Sequence, residues 1–332
     1  MTAAAGQQSE PARARTGLSW SATQYFLRHY AIAFVLLIQI LIWSVLSPDF
    51  LTFSNLMNVA RQSSITGIAA VGMTFCLIAG SIDLSVASML AFSGMLAALT
   101  LQDTGSPLLA LIVPSAVGAL VGLGAGLVIT RFQLSAFIVT LALQAILGAA
   151  ALMVADGYTV PAQDPIFRFV GDGYIGPIPT PVWLLVAAMV AGHWVLTNTP
   201  FGRRVYAVGG NAAAARYAGV RVNQYIIAVH VLVAGSAAFA GVVLAARLGS
   251  GTPNAGSSLL LDIIAGVIIG GTSVFGGTGK MWGTLVGVLM LAFLRDGLTL
   301  INVAGYWQTL ATGALLLGAV VLDRFFYAEK RE

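Results

Sequence analysis

The sequence predicts an all-α, polytopic membrane protein with about ten transmembrane helices and both termini cytoplasmic. Three observations predict it. The 332 residues are 58% hydrophobic and only 8% charged, with a mean hydropathy of +0.91, whereas soluble domains carry about 25% charged residues. Apolar runs long enough to span a bilayer as helices recur along the chain. Lys and Arg collect in short connections and tails, as expected of loops retained in the cytoplasm. The 38 glycines suit helices that pack closely in lipid. The net charge of +4 does not point to nucleic acid, because topology accounts for the basic residues. The single cysteine, Cys76, excludes a disulfide framework and reads as a small buried hydrophobe.

In chain order, residues 1–29 are polar and Ala-rich, with Arg13, Arg15 and Arg28, and read as a disordered cytoplasmic tail. Residues 30–323 form the transmembrane domain. Its expected spans lie near 31–46, 56–79, 86–101, 108–130, 134–155, 182–196, 224–246, 259–274, 281–300 and 306–322. The second span carries Arg61, Gln62, Ser63 and Ser64, which should face protein or a wet cavity. Asp156–Pro181 is the longest outer loop, rich in proline and aspartate. Residues 324–332 close the chain as a second cytoplasmic tail. The six tryptophans fall near span ends and read as interfacial anchors.

One polar island interrupts this pattern at 198–223. It holds Arg203, Arg204, Arg216 and Arg221 of the 16 Lys and Arg in the chain. Its middle reads as a short helix: Asn211 can cap it, Ala212–Ala215 favour it, and Gly219 sits where a left-handed stop would fall. A solvated loop that sets topology accounts for the charges. The sharper reading is a helix on which a soluble partner docks, given the flat alanine face.

Few residues could carry chemistry. Asp83 and Asp262 are the acids nearest the membrane interior, where carboxylates are functional candidates; each could equally cap or support the start of a helix. The run Gly270, Gly271, Thr272, Ser273 … Gly276, Gly277, Gly279, Lys280 invites a phosphate-loop reading and fails it. Val274 stands where the first glycine is needed, and Met281 where Ser or Thr is needed. The glycines instead permit a tight re-entry turn. His29, His193 and His230 show no metal-ligand spacing, and no nucleophile–base pair stands out, which argues against an enzyme. His230 reads as an interhelical hydrogen-bond residue.

Several stretches together resemble the permease subunit of bacterial ABC sugar importers, in the ribose/xylose/arabinose/galactose branch. They are Gly72-Met73-Thr74 with Gly80-Ser81-Ile82-Asp83-Leu84-Ser85-Val86, then Thr199-Pro200-Phe201-Gly202-Arg203 through Gly210-Asn211, Ala214-Ala215-Arg216 and Gly219, then Asp262 through Gly270-Gly271-Thr272-Ser273 and Gly276-Gly277. The resemblance covers nearly everything after residue 30. It implies a bacterial cytoplasmic-membrane protein that forms the path for a monosaccharide or similar small polar solute. Its implied partners are cytoplasmic ATPase subunits, which alone bind ATP and Mg, a periplasmic solute-binding protein, and a second permease copy or paralogue. This chain would carry no cofactor and no metal. Gly202, Arg203, Gly210, Asn211, Ala214, Ala215, Arg216 and Gly219 would form the ATPase-coupling segment. Asp83, Ser85, Asp262, Thr272 and Ser273 would line the path or gate, and Gly270, Gly271, Gly276 and Gly277 would shape the hairpin. The chain departs from the family pattern at Leu260, where Glu is usual, at Thr278, often Arg, and at Arg295-Asp296, often Asn-Asn. A self-sufficient proton-coupled carrier using Asp83 or Asp262 is the alternative reading.

Overall fold

The computed structural model describes the backbone of residues 20–328 and the side chains of residues 33–321, 323 and 324. The expected tails at 1–19 and 329–332 lie outside the described residues. The helices run α1 (Trp20–Leu46), α2 (Phe53–Ile78), α3 (Val86–Thr104), α4 (Pro107–Phe132), α5 (Ala136–Met153), α6 (Pro165–Asp172), α7 (Thr180–Asn198), α8 (Pro200–Gly210), α9 (Ala212–Tyr217), α10 (Val222–Leu248), α11 (Leu259–Ile269), α12 (Met281–Leu300) and α13 (Gly305–Ala328). Six of them, α3, α4, α5, α7, α10 and α12, are long and apolar enough to cross a membrane. A helix falls on every apolar run read from the sequence.

Two differences lie at the ends. α1 begins at Trp20, inside the expected N-terminal tail, because Trp20–Leu46 holds no proline or glycine to stop it. α13 likewise continues past residue 324 to Ala328. A third difference is internal. The eighth apolar run leaves the helix at Ile269, not near 274, because Gly271 adopts a positive φ of 87° that ends the turn.

The outer loop is more ordered than a proline-rich stretch suggests. Asp164 accepts from the backbone N–H of Ile166 and Phe167, with Pro165 at the first helical position, so α6 is capped on the surface. Two short ribbons flank it. β1 (Val160–Pro161) pairs with β4 (Ser250–Gly251), and β2 (Tyr174–Ile175) pairs with β3 (Ile178–Pro179).

α10 is the hub. Its buried residues run from Val222 to Ala246, and it packs on α2, α3 and α4. The approach to α4 depends on glycines at a four-residue spacing. A Cβ on Gly126 would lie 2.6 Å from Ile227 Cα, and one on Gly122 or Gly118 would overlap the carbonyl of His230 or the methyl of Ala238. Apolar side chains gain little from leaving lipid, so such contact comes from backbone proximity. α4 and α5, by contrast, leave long apolar side chains exposed, including Leu120, Phe137, Ile138 and Ile146. These are the faces a bilayer would cover.

Candidate functional site

Two ends of the bundle carry polar structure. At one, the island folds as two helices rather than one. Thr199 caps α8 by accepting from Gly202 N–H, and Pro200 follows at the first helical position. Asn211 then caps α9 by accepting from Ala214 N–H at 2.9 Å. α9 ends at Tyr217, with Gly219 at φ 80° and Gly219 and Val220 donating back to Arg216 and Ala215. Val208, Ala215 and Val222 form a small core beneath it. Arg203, Arg204, Ala214 and Arg216 are left exposed, and Tyr217 is 94% exposed.

This helix pair is welded to the bundle through glycine. A Cβ on Gly209 would overlap Ile78 O and lie 2.7 Å from Gly277 N. Gly276 and Gly277 adopt φ of 85° and 76°, which β-carbon-bearing residues rarely do. Gly277 N–H donates to Ile78 O at 2.8 Å, and the Tyr206 hydroxyl donates to Gly279 O at 2.7 Å. Partial burial pushes the Tyr206 phenol pKa up. The hairpin is also tied to α13, since Asp323 Oδ2 accepts from Ser273 Oγ at 2.8 Å and from Val274 N–H at 3.2 Å. Thus α2, α8, α11, α12 and α13 meet at one turn.

Just inside this end lies a buried polar group. Asp83 Oδ1 accepts from the N–H and Oγ of Ser85 at 2.8 and 2.6 Å. Its Oδ2 is 3.6 Å from His230 Nδ1, and His230 Nε2 is 3.0 Å from Ser81 Oγ. Both Asp83 and His230 are fully enclosed. The group pins the α2–α3 connection to α10.

The opposite end opens. A cavity of about 190 Å³ lies between α2, α11, α12 and α13. Gln62, Ser63 and Thr66 line it from α2, Asp262 from α11, Arg295, Asp296 and Thr299 from α12, and Gln308 from α13. Arg295 Nη2 is 2.7 Å from Asp262 Oδ1, and Asp296 accepts from Asn55 Nδ2 at 2.7 Å. Beside the cavity, Arg61 pairs with Asp172 of α6 at 2.9 Å and lies 4.8 Å over the Tyr174 ring.

Residues 55–320 match the family model for the permease component of branched-chain amino acid transport systems. The chain belongs to this permease family. It is 40% identical to the ribose import permease protein of Bacillus subtilis over 291 residues, covering 87% of this chain and 90% of that one. The ribose import permease protein of Escherichia coli K12 is 38% identical over 305 residues, 91% and 95% of the two chains. The L-arabinose ABC transporter permease protein of Azospirillum brasilense is 36% identical over 321 residues, 97% and 93%. No solved structure gives a significant match. The permease is therefore a multi-pass transport component of the bacterial cytoplasmic membrane and not an enzyme. The similarity does not support the proton-coupled carrier.

Within the permease, the sequence-derived site residues fall into three places. Asp262 lines the cavity. Asp83 and Ser85 sit in the enclosed group with His230. Thr272 and Ser273 belong to the glycine hairpin with Gly270, Gly271, Gly276 and Gly277, and none of these lines the cavity. Gly270 packs on Gly283 at the start of α12. Gly202 is buried against Leu196 in the α7–α8 corner, and Gly210 faces Gly277. The sequence reading missed α8, although Thr199-Pro200 is a cap followed by an N1 proline and could have announced it. It marked Arg295-Asp296 only as a departure from the family pattern, and it missed Gln308 as lining the same cavity as Asp262 and Asn55 as the partner of Asp296, which no local signal marks. Trp43, expected as an interfacial anchor, is instead 7% exposed and packs on Gly297.

Proposed function

We infer that the permease forms the path for a monosaccharide or similar small polar solute, driven by a separate ATPase subunit seated on α8 and α9. The observation that carries this is the weld at Gly209. It joins a solvent-exposed helix pair to the hairpin shared by α11, α12 and α13, so a push on α9 reaches elements that line the cavity. ATP and Mg would bind the ATPase. Two such chains, alike or paralogous, would face each other, and a periplasmic solute-binding protein would deliver cargo at the cavity end. Similarity to ribose and L-arabinose permeases supports the solute class. Rocking two such bundles would alternate access without chemistry in this chain.

Ten spans with cytoplasmic termini fit the charges. Arg131, Arg203, Arg204, Arg216, Arg221, Lys280 and Arg324 lie at the α9 end. At the other end lie Arg61, Arg168, Arg247 and Arg295, so the Lys and Arg bias among the described residues favours the α9 end.

The test uses Ala214→Asp and Tyr217→Ala in the assembled transporter. Both positions are exposed, so the melting midpoint should stay within about 2 °C of the parent. Solute-dependent ATPase activity and uptake should fall about tenfold, because a charge or a truncation enters the docked contact. Full uptake by both variants would remove α9 from the coupling role. Labelling of a cysteine placed at Asn211 from outside intact spheroplasts would overturn the orientation.

A further inference from the structure

A second charged cluster stands beside the cavity, and none of its residues lines it. Arg61 of α2, Arg168 and Asp172 of α6, and Arg247 of α10 gather where α6 lies on the last turn of α10. A Cβ on Gly171 there would overlap the backbone nitrogen of Arg247. Asp172 is 2.9 Å from Arg61 Nη1 and 3.3 Å from Arg168 Nη2. Arg247 stands within reach of the charges of Arg61 and Asp172, and it has no ion pair among the described residues. Three guanidiniums thus share one carboxylate. We propose that this cluster binds the phosphate of an anionic phospholipid headgroup.

The unspent hydrogen bonds point to an anion. Guanidinium groups donate and never accept. Arg61 Nε, Arg61 Nη2 and Arg168 Nε are buried with no hydrogen-bond partner among the described residues. The missing complement is negative and rich in acceptors, which a phosphate supplies. The cluster is open to it, since the Arg168 and Asp172 side chains are 42% and 40% exposed. The Lys and Arg bias favours the other end of the bundle, so arginines kept here need a local counter-charge, and Asp172 is one for three. The setting selects a lipid as the source. α10 is long and apolar enough to cross a membrane, and the cluster sits at its end, at the level of headgroups. Ile166 and Phe169, three residues apart on α6, are exposed beside it, as are Tyr174, Ile175 and Leu248. Acyl chains would cover these side chains, whereas free phosphate would leave them in water. A zwitterionic headgroup would bring its own cation into an already positive cluster, so the net-anionic lipid fits best.

The experiment titrates the full-length permease in detergent with dioleoyl-phosphatidylglycerol or dioleoyl-phosphatidylcholine, and reads bound lipid by native mass spectrometry. Phosphatidylglycerol binds about tenfold tighter or more. Arg168→Gln with Arg247→Gln weakens it about thirtyfold and leaves Arg61 to pair with Asp172. Asp172→Asn removes the competing anion and tightens binding about fivefold, a gain that damage to the fold does not produce. That variant carries the test alone should the double variant fail to fold. Arg131→Gln, exposed at the α9 end, leaves the affinity unchanged. Equal binding of the two lipids, a double variant that binds like the parent, or weaker binding by Asp172→Asn overturns the proposal. Displacement of the lipid by about 10 mM inorganic phosphate gives the site to a free anion, and displacement by about 1 mM hexaglutamate gives it to an acidic protein. Either result also overturns it.

Discussion

The two ends of the bundle hold their helices together by opposite means. At the α9 end, Gly80, Gly209, Gly210, Gly276 and Gly277 bring three backbone segments into direct contact, with Gly277 N–H on Ile78 O. At the cavity end, long polar side chains bridge the elements instead: Arg295 to Asp262, Asn55 to Asp296, Arg61 to Asp172. Backbone contact without intervening side chains leaves little room for one segment to shift against another. Side-chain bridges can re-pair, so the cavity end can change shape. Under the importer reading proposed above, a close-packed α9 end and a cavity end held by side-chain pairs suit rocking between two arrangements.

The largest expected effect breaks the rigid end. Gly209→Val places a branched side chain on Ile78 O and Gly277 N, and should cost more than about 3 kcal/mol, the upper range for overpacking. Loss of the monodisperse peak in detergent, or a steep fall in melting midpoint, is the readout. A normal melt would show that the contact is looser than the backbone distances state. Gly124→Ala, where nothing lies within 4 Å, is the matched control and should be neutral or stabilising by about 0.5–1 kcal/mol.

Next comes the cavity end. Arg295→Gln leaves Asp262 buried and unpaired, at a cost of about 3 kcal/mol. The double variant Asp262→Asn with Arg295→Gln should recover most of that loss. Additive losses in thermal melts of the two single variants and the double would mean that the pair does not couple α11 to α12.

A smaller effect tests how α13 reaches the hairpin. Asp323→Ala removes the acceptor for Ser273 Oγ and Val274 N–H, for about 1–3 kcal/mol of local stability. Faster amide exchange confined to 273–277 is the expected signature, and unchanged exchange there would cut α13 out of the linkage. The smallest effect checks the deformable end. Gln62→Leu, at an exposed lining position, should change stability by less than about 0.5 kcal/mol, and a large shift in melting would show that the cavity end is as closely fitted as the glycine end.

Much of the glycine end was legible from local pattern. Asn211 before four alanines and Gly219 after them describe a capped helix, and the structure has that helix with those caps. The glycines near 270–277 announced a tight turn, and four of the hairpin and helix-end glycines there have positive φ or backbone contact. What local pattern did not carry was the partner of the turn. Gly209 and Ile78 meet across 131 positions of sequence, and nothing in either neighbourhood names the other. The cavity was less legible still. Asp262 stood out as an intramembrane acid, but its environment comes from residues as far apart as Gln62 and Gln308.

By itself, the sequence determined the class of protein, the helices on the apolar runs and the capped basic segment, because hydropathy, helix propensity and capping act within a few turns of chain. Only the tertiary structure decided that α8 and α9 sit against the hairpin, that Asp83 lies with His230 away from the cavity, and that Asp262 faces Arg295. In a bilayer the hydrophobic effect does not choose between apolar helix faces, so the pairing of helices rests on close backbone approach and on a few polar contacts between residues distant in sequence.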